Sequence, residues 1–190
     1  MNDKKDIIKK VADEIFRENG FKKTNISEIM KKAKMATGTF YNYYQSKDEV
    51  FMEIYLEENE KLKRKIMNEV DLKGHPMEVM GQMMQLNEIG MKENPILCEW
   101  YNYENFKKIE QAFHEKKGFE TLDFMDSTFI EIVRNWQKNG VMVDTIDAEM
   151  IMAIFNAIIE VEAHKDRIGI KYFPDLIYHL SGFVMKGLLK

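Results

Sequence analysis

One cysteine, three prolines and no apolar run near the roughly 18 residues of a membrane-spanning helix already bound this 190-residue chain. The lone Cys98 excludes an intrachain disulfide and a paired-cysteine zinc site, agrees with a reducing compartment, and reads as a small buried hydrophobe. The opening "MNDKKDIIKKVADEIF" mixes charge with apolar pairs where a secretory leader would carry an apolar core, so the expected location is cytoplasmic. Strand-like alternation is scarce and each proline stands where a helix can begin, so the expected fold class is all-α. His75, His114, His164 and His179 lie far apart and outside H-E-x-x-H or E-x-x-H spacing, and there is no P-loop or G-x-S-x-G. No catalytic residue, cofactor or metal site is therefore expected, so a helical-bundle enzyme finds little support; it and a protein–protein adaptor, neither binding DNA, are the alternative readings.

What is present is a soluble globular balance, 45% hydrophobic and 32% charged, with a formal net charge of −4. That average hides an asymmetry. Residues 1–50 hold 11 Lys and Arg against 8 Asp and Glu, while the remainder holds 17 against 24. Between residues 22 and 47, Lys22, Lys23, Lys31, Lys32, Lys34 and Lys47 face a single acid, Glu28. A cationic stretch of this kind is a solvated face or a phosphate-binding surface.

Ile7, Ile8, Val11, Ala12, Ile15 and Phe16 recur as pairs every four residues, the stripe of an amphipathic helix that Gly20 should stop. Asn25 and Glu28 have capping-box spacing, opening a short helix with Ile26, Ile29, Met30 and Ala33 on its apolar face. A break near Lys34–Ala36 leads to a third short helix, about Thr37 to Tyr44. Ser46 and Glu49 form a second capping box for a long helix reaching about Val70, whose second half, "EENEKLKRKIMNE", reads as a solvated bridge. Further helices are expected at about 76–93, 95–117, 119–139, 147–168 and 174–189, with Pro76, Pro95 and Pro174 in first turns, Asn94 as a cap, and Gly118, Gly140 and Gly169 as stops. The expected organisation is a DNA-binding domain over 1–46, a connecting helix over 47–75 and a C-terminal domain over 76–190.

Two short helices joined by a tight turn after a longer one describe a helix-turn-helix. In "TGTFYNYYQSKDEVF", Phe40 and Tyr44 share a helical face and can join Ile15, Phe16, Phe21, Ile29, Met35 and Phe51 in a small core. That leaves Gly38, Thr39, Tyr41, Asn42 and Tyr43 outside, with Lys47 beside them. Hydroxyls reach phosphates, an Asn amide can read a base edge, and glycine admits a close backbone. Duplex DNA is the ligand these types suit.

The stretch "NISEIMKKAKMATGTFYNYYQSKDEVF" resembles the N-terminal signature of the TetR/AcrR family of bacterial one-component transcriptional repressors. The landmarks are Ile29, Ala33, Gly38-Thr39-Phe40-Tyr41, Tyr44, Ser46-Lys47-Asp48-Glu49 and Val50, within a match spanning roughly residues 7–55. Two positions depart from the pattern: Lys34 stands where the family has glycine, and Ala36 where it has a small hydroxyl. Lys34 is thus expected to need a left-handed backbone, and Thr37 to take over the capping role. The resemblance implies DNA contacts at Thr37, Gly38, Thr39, Tyr41, Asn42, Tyr43 and Lys47, with Thr24 and Asn25 at the start of the second helix. Asn42 is the expected base reader; Tyr41 and Lys47 are expected on phosphates.

The resemblance also implies that the C-terminal region dimerises and binds a small-molecule effector. Leu176, Leu180, Phe183, Val184 and Leu188 form one stripe, kept slim by Ser181, Gly182 and Gly187, and the preceding helix carries Ile151, Ile154, Phe155, Ile158, Ile159 and Val161. A monomer core explains these stripes equally well; the resemblance implies a homodimer interface, with Phe155, Ile158, Leu176, Leu180, Phe183 and Val184 as its candidates. Methionines crowd residues 77–91 and aromatics follow, types that repack around varied ligands. The candidate effector pocket is Met80, Met84, Met91, Trp100, Tyr103, Phe124 and Trp136, suited to an apolar or amphipathic molecule. Glu99 or Asp123 would pair with a cationic ligand or face solvent. The implied function is a regulator, most often a repressor, that binds a near-palindromic operator as a dimer with the long helix as its lever.

Overall fold

The computed structural model describes residues 4–102, 120–163, 165–173 and 175–190. The fold is all-α. Its helices are α1 (Lys4–Lys23), α2 (Ile26–Lys32), α3 (Thr37–Phe40), α4 (Lys47–Glu69), α5 (Pro76–Glu93), α6 (Glu120–Lys138), α7 (Ala148–Ala163), α8 (Lys165–Ile168) and α9 (Asp175–Leu188), with 3-10 turns at Leu97–Tyr101 and Ile170–Tyr172. The one pairing of extended backbone among the described residues is the bridge between Met142 and Leu189. No described helix is long and apolar enough to cross a membrane. The chain forms two compact units, whose described residues are 4–68 with 86–102, and 69–85 with those from 120 onward.

In the first unit, α1 buries Ile8, Ala12, Ile15 and Phe16, the expected stripe. Gly20, at φ 76 and ψ 165, breaks the helix as expected, yet one more turn follows and swings Phe21 into the core. Phe21 and Phe16 both pack on Phe51, at ring separations of 4.8 and 5.1 Å. Ile29, Phe40 and Tyr44 are buried with them, whereas Met35 is only half-buried. Asn25 caps α2 by accepting from the Glu28 amide at 2.9 Å, but the Glu28 carboxylate turns to Asn19 Nδ2 at 3.2 Å. At α4, Ser46 Oγ accepts from the Glu49 amide at 3.2 Å while Glu49 accepts from the Gln45 amide at 2.6 Å, so the reciprocal half is displaced by one residue.

Three expectations are corrected. The third helix stops at Phe40, and turn bonds from Tyr43 N and Tyr44 N to Phe40 O, both 3.0 Å, carry the chain onward. Its cap is Ala36, without a side-chain bond, and Thr37 is the first helical residue rather than a cap. The second half of α4 is not simply solvated: Leu62 and Ile66 are buried, and Leu62 lies so close to Gly90 of α5 that a Cβ there would meet it at 2.2 Å. Gly90 is therefore a close-approach position.

The Leu97–Tyr101 turn has Ile96 as its N-cap, without a side-chain bond; the expected cap, Asn94, stands two residues earlier, Oδ1 accepting from Ile96 N at 2.9 Å. Its Nδ2 also donates to Glu58 Oε2 at 2.7 Å, and the same carboxylate holds Arg17 Nη2 at 2.9 Å and Lys61 at 2.7 Å. In the second unit, Trp136 donates its indole N–H to Gly74 O at 3.2 Å. Val143 N on Leu188 O (2.8 Å) and Lys190 N on Val141 O (3.1 Å) tie the last residues to the α6–α7 connection. Gly140 and Gly169 stop their helices at positive φ, as expected. The expected helix over 147–168 is split into α7 and α8, and of the one over 95–117 the described residues form only the Leu97–Tyr101 turn. Pro174 and Gly118 lie outside the described residues.

Burial alone would raise the Glu58 carboxyl, but hydrogen bonds from Lys61, Arg17 and Asn94 outweigh it and hold it at about 2. A carboxyl whose folded value lies below its unfolded value, about 4.3, stabilises the fold above the latter and loses that contribution as pH falls toward the former. Urea unfolding at about pH 5 and about pH 3 should show Glu58→Gln losing less stability than the wild type, by roughly 1 kcal/mol after allowance for solvent screening. Equal losses would exclude Glu58 as the group responsible.

Candidate nucleic-acid interface

The interface begins with how a four-residue helix is fixed. Lys34 closes α2 in the left-handed region at φ 57, with Lys34 N on Lys31 O (3.1 Å) and Met35 N on Met30 O (3.0 Å). That pair of bonds is a Schellman closure, and the left-handed Lys34 expected from its glycine-like place in the pattern is observed. The chain then enters α3, where Phe40 is fully buried and Tyr44 packs on it at 5.6 Å. With two rings anchored inside, the rest of the stretch has one way to face. Tyr41 is 58% exposed; Thr37, Gly38 and Asn42 are exposed; Thr39 and Tyr43 are half-buried. A Cβ at Gly38 would meet nothing within 4 Å, so the backbone there is open to an approaching ligand.

Asn25 is exposed at the start of α2, as are Lys31, one of the lysines of the cationic stretch, and Ser27, a position not singled out from the sequence although the α2 apolar period leaves it outward. Thr24 and Lys47 are placed differently from their neighbours. Thr24 is 2% exposed and donates its hydroxyl to Gly20 O at 2.8 Å. Lys47 donates Nζ to Phe21 O at 2.7 Å and Thr24 O at 2.9 Å, with the ammonium 4.3 Å from the centre of the Phe21 ring. It closes the α1–α2 corner, a role invisible in sequence because its acceptors are backbone carbonyls more than twenty residues away.

Several cations of this unit are paired, while others, Lys4 and Lys10 on α1 among them, are exposed without an acid partner among the described residues. Lys5 and Lys9 bind Glu53, Lys9 also binds Glu57, Arg17 binds Asp13 and Glu58, and Lys32 reaches Glu14 and Glu18 at 3.3 and 3.6 Å. Lys23, Lys31 and Lys34 are exposed and have no acid partner among the described residues.

The C-terminal candidates are placed as follows. In the first unit Met91 is buried and Trp100 is half-buried, stacked on Tyr55 at 6.3 Å. In the second, Met80 and Met84 are half-buried and Trp136 is buried. Tyr103 and the side chains of Phe124 and Asp123 lie outside the described residues. Glu99 serves neither a ligand nor solvent alone: Oε1 accepts from Phe21 N at 3.0 Å. Burial and the neighbouring Glu99 charge push the Cys98 thiol up, and its Sγ donates to Pro95 O at 3.2 Å, so half-buried Cys98 is no thiolate nucleophile. On α9 the inward residues are Ser181, Met185 and Leu188. The other face carries half-buried Leu176, Leu180 and Val184 and a 66% exposed Phe183. Tyr178 on α9 and Ile159 and Met150 on α7 are also exposed, beside half-buried Phe155 and buried Ile158. Among the described residues no three His, Cys, Asp or Glu side chains are grouped to hold a metal.

Residues 8–54 match the family model described as bacterial regulatory proteins, tetR family. Over the whole chain the fold is similar to that of Thermus thermophilus FadR, a TetR-family transcriptional repressor solved with lauroyl-CoA: 22% identity, 98% of this chain, 95% of that chain, TM-score 0.63. It is also similar to SmeT, repressor of the Stenotrophomonas maltophilia multidrug efflux pump SmeDEF (16% identity, 98% and 90% covered, TM-score 0.58) and to Bacillus halodurans FadR (21%, 97% and 96%, TM-score 0.55). No curated protein sequence matches the chain. At these identities the likeness is one of fold.

The split between anchored and outward rings gives a direct check. Phe40→Ala should cost about 3–5 kcal/mol in unfolding free energy, because it empties a fully buried site. Tyr41→Ala should stay within about 0.5 kcal/mol of wild type, as an exposed substitution. Chemical denaturation of both variants measures the contrast, and comparable losses would mean that Tyr41 belongs to the core.

Proposed function

We propose that this chain, whose residues 8–54 match the family model described as bacterial regulatory proteins, tetR family, is a cytoplasmic, ligand-responsive repressor. It binds near-palindromic duplex DNA as a homodimer and releases it when a small apolar or amphipathic effector binds. The observation that carries the reading is the outward row of Thr37 and Gly38 on α3 and Tyr41 and Asn42 in the turn after it, pinned from below by Phe40 and Tyr44. A rigid helix with short polar side chains and an open glycine is what a major groove admits. Asn42 reads a base edge. Tyr41 donates to a phosphate, and Thr37, Thr39, Tyr43 and Asn25 fix register on the same backbone. Lys47 and Thr24 hold the corner beneath that surface, and the lysine charge adds to its field.

The exposed apolar face of α9 supports the two-fold part of this reading. Phe183, flanked by Leu176, Leu180 and Val184 and accompanied by Tyr178, is a large apolar residue offered to solvent, and a second copy of the same face covers it. Two recognition helices then address successive major grooves about 34–36 Å apart. The DNA-binding domain is residues 1–46, the connecting helix 47–75, and the helical region from 76 takes the effector. The methionine-rich α5 suits an adaptable apolar site. The lauroyl-CoA bound by the T. thermophilus FadR makes long-chain acyl thioesters the first class to try.

Coupling runs through residues 94–99, which are bonded to α1 twice, at Arg17 through Asn94 and at Phe21 through Glu99. A displacement of that segment by effector loosens both bonds and the helix-turn-helix they steady, with about 1–3 kcal/mol of coupling typical of such switches.

The reading is tested by selecting bound duplexes from a random pool with the wild type and Tyr41→Ala. A palindrome enriched by the wild type alone is expected; no enrichment by folded protein at low salt would overturn the reading. Light scattering on Phe183→Asp should show a monomer where the wild type is a dimer, and an unchanged mass would remove this face as the interface. Among apolar ligands, one that raises the melting temperature should also weaken operator binding by at least about fivefold. Glu99→Gln, which weakens the bond to Phe21 N, should lower ligand-free DNA affinity and shrink that response.

A further inference from the structure

Lys34 is the only non-glycine residue at positive φ among the described residues, in a Schellman closure whose residue in the left-handed position is ordinarily glycine. An L-residue with a Cβ is disfavoured there by its contact with the following carbonyl oxygen. Among the described residues nothing offsets that strain through the side chain. Lys34 is exposed, and neither an acid, a ring nor a hydrogen-bond acceptor among the described residues engages its ammonium. A cation after a helix C-terminus interacts favourably with the helix dipole, but Lys31 and Lys32 already stand in the last turn of α2. Strain held without a compensating interaction points to function.

The place of the residue says which function. Lys34 lies three residues before Thr37, and the exposed positions continue through Ala36, Thr37 and Gly38 onto the outward face of α3. Nearby Lys31 is exposed and without an acid partner among the described residues, while Lys32 is drawn away to Glu14 and Glu18. A four-carbon stem carrying an unpaired point charge beside a groove-reading helix meets a phosphate.

We infer that Lys34 is a DNA phosphate contact at the turn of the helix-turn-helix, retained for its charge at the expense of fold stability. The inference rests on the DNA-binding reading above. It requires stability and affinity to move in opposite directions. Lys34→Gly should raise the melting temperature by about 2–4 °C while weakening operator binding severalfold at low salt. The log–log salt dependence should become shallower by about 0.9 for each phosphate no longer neutralised, hence about 1.8 in a dimer. Lys34→Arg should keep affinity, salt slope and melting temperature near wild type. Lys34→Asn, whose side chain tolerates the left-handed region, should lose affinity as glycine does. Lys32→Ala, which removes a cation already bound to carboxylates, should leave the salt slope closer to wild type than Lys34→Gly does.

Operator titrations by fluorescence anisotropy over a range of salt, paired with melting curves, separate the outcomes. Wild type that binds while Lys34→Gly shows the same affinity and slope would overturn this inference alone. Folded wild type that binds no duplex would overturn the DNA-binding reading, and the inference with it.

Discussion

The helix-turn-helix of this chain depends on one corner, made where Gly20 breaks α1 and closed by Lys47. Breaking a helix strands backbone groups that must find other partners. Here four of them are met by side chains. Gly20 O accepts from the Thr24 hydroxyl, Phe21 N donates to Glu99, and the carbonyls of Phe21 and Thr24 both accept from Lys47. The break also aims the Phe21 ring at Phe16 and Phe51, so one positive φ sets both the polar network and the aromatic core. No residue with a Cβ substitutes easily: at φ 76 it would be strained, and its Cβ would stand 3.3 Å from Glu99 Oε1. Because Lys47 is the first residue of α4, the corner also sets where that helix starts, and with it the side of the core against which α3 is pressed.

The corner places a carboxylate from residue 99 on the backbone of residue 21, and the Arg17–Glu58–Asn94 cluster lies one turn earlier on the same helix. Charge-assisted hydrogen bonds of this sort are directional and half-sheltered, which makes them sensitive to small displacements. Packed aromatic contacts tolerate a slide that a carboxylate on an amide does not. In the proposed function this is why residues 94–99 transmit a signal: they hold α1 by polar bonds with discrete geometries rather than by apolar area alone.

How much of this is legible in the sequence depends on how local the determinant is. Caps at Asn25 and Ser46, the break at Gly20, the stops at Gly140 and Gly169, and the division of rings between buried Phe40 with Tyr44 and exposed Tyr41 follow from local spacing and residue type, and the structure bears them out. Lys47 and Glu99 read from sequence as groups available to a ligand, because their partners are main-chain atoms distant along the chain. The second half of α4 reads as solvated because its charged residues outnumber Leu62 and Ile66, which nonetheless suffice to seat it on Gly90. On α9 both faces carry apolar residues, and sequence alone does not decide that Ser181, Met185 and Leu188 turn inward while Phe183 stays out.

Charge is the last place where pattern outweighs total. A chain of net charge −4 looks ill-suited to a polyanion. Yet Debye screening at physiological salt confines a surface charge to about 8 Å, so a phosphate senses the groups beside it rather than the sum. In the first unit carboxylates take up Lys5, Lys9, Arg17 and Lys32, bonds that fix helices to one another and cancel charge where they lie. Lys23, Lys31 and Lys34 are left uncancelled among the described residues, in the segment where Glu28 is the only acid and the outward face of α3 begins. Pairing thus performs two tasks at once. It stiffens the scaffold, and by cancelling Lys5, Lys9, Arg17 and Lys32 it leaves Lys23, Lys31 and Lys34 as uncancelled charge beside α3.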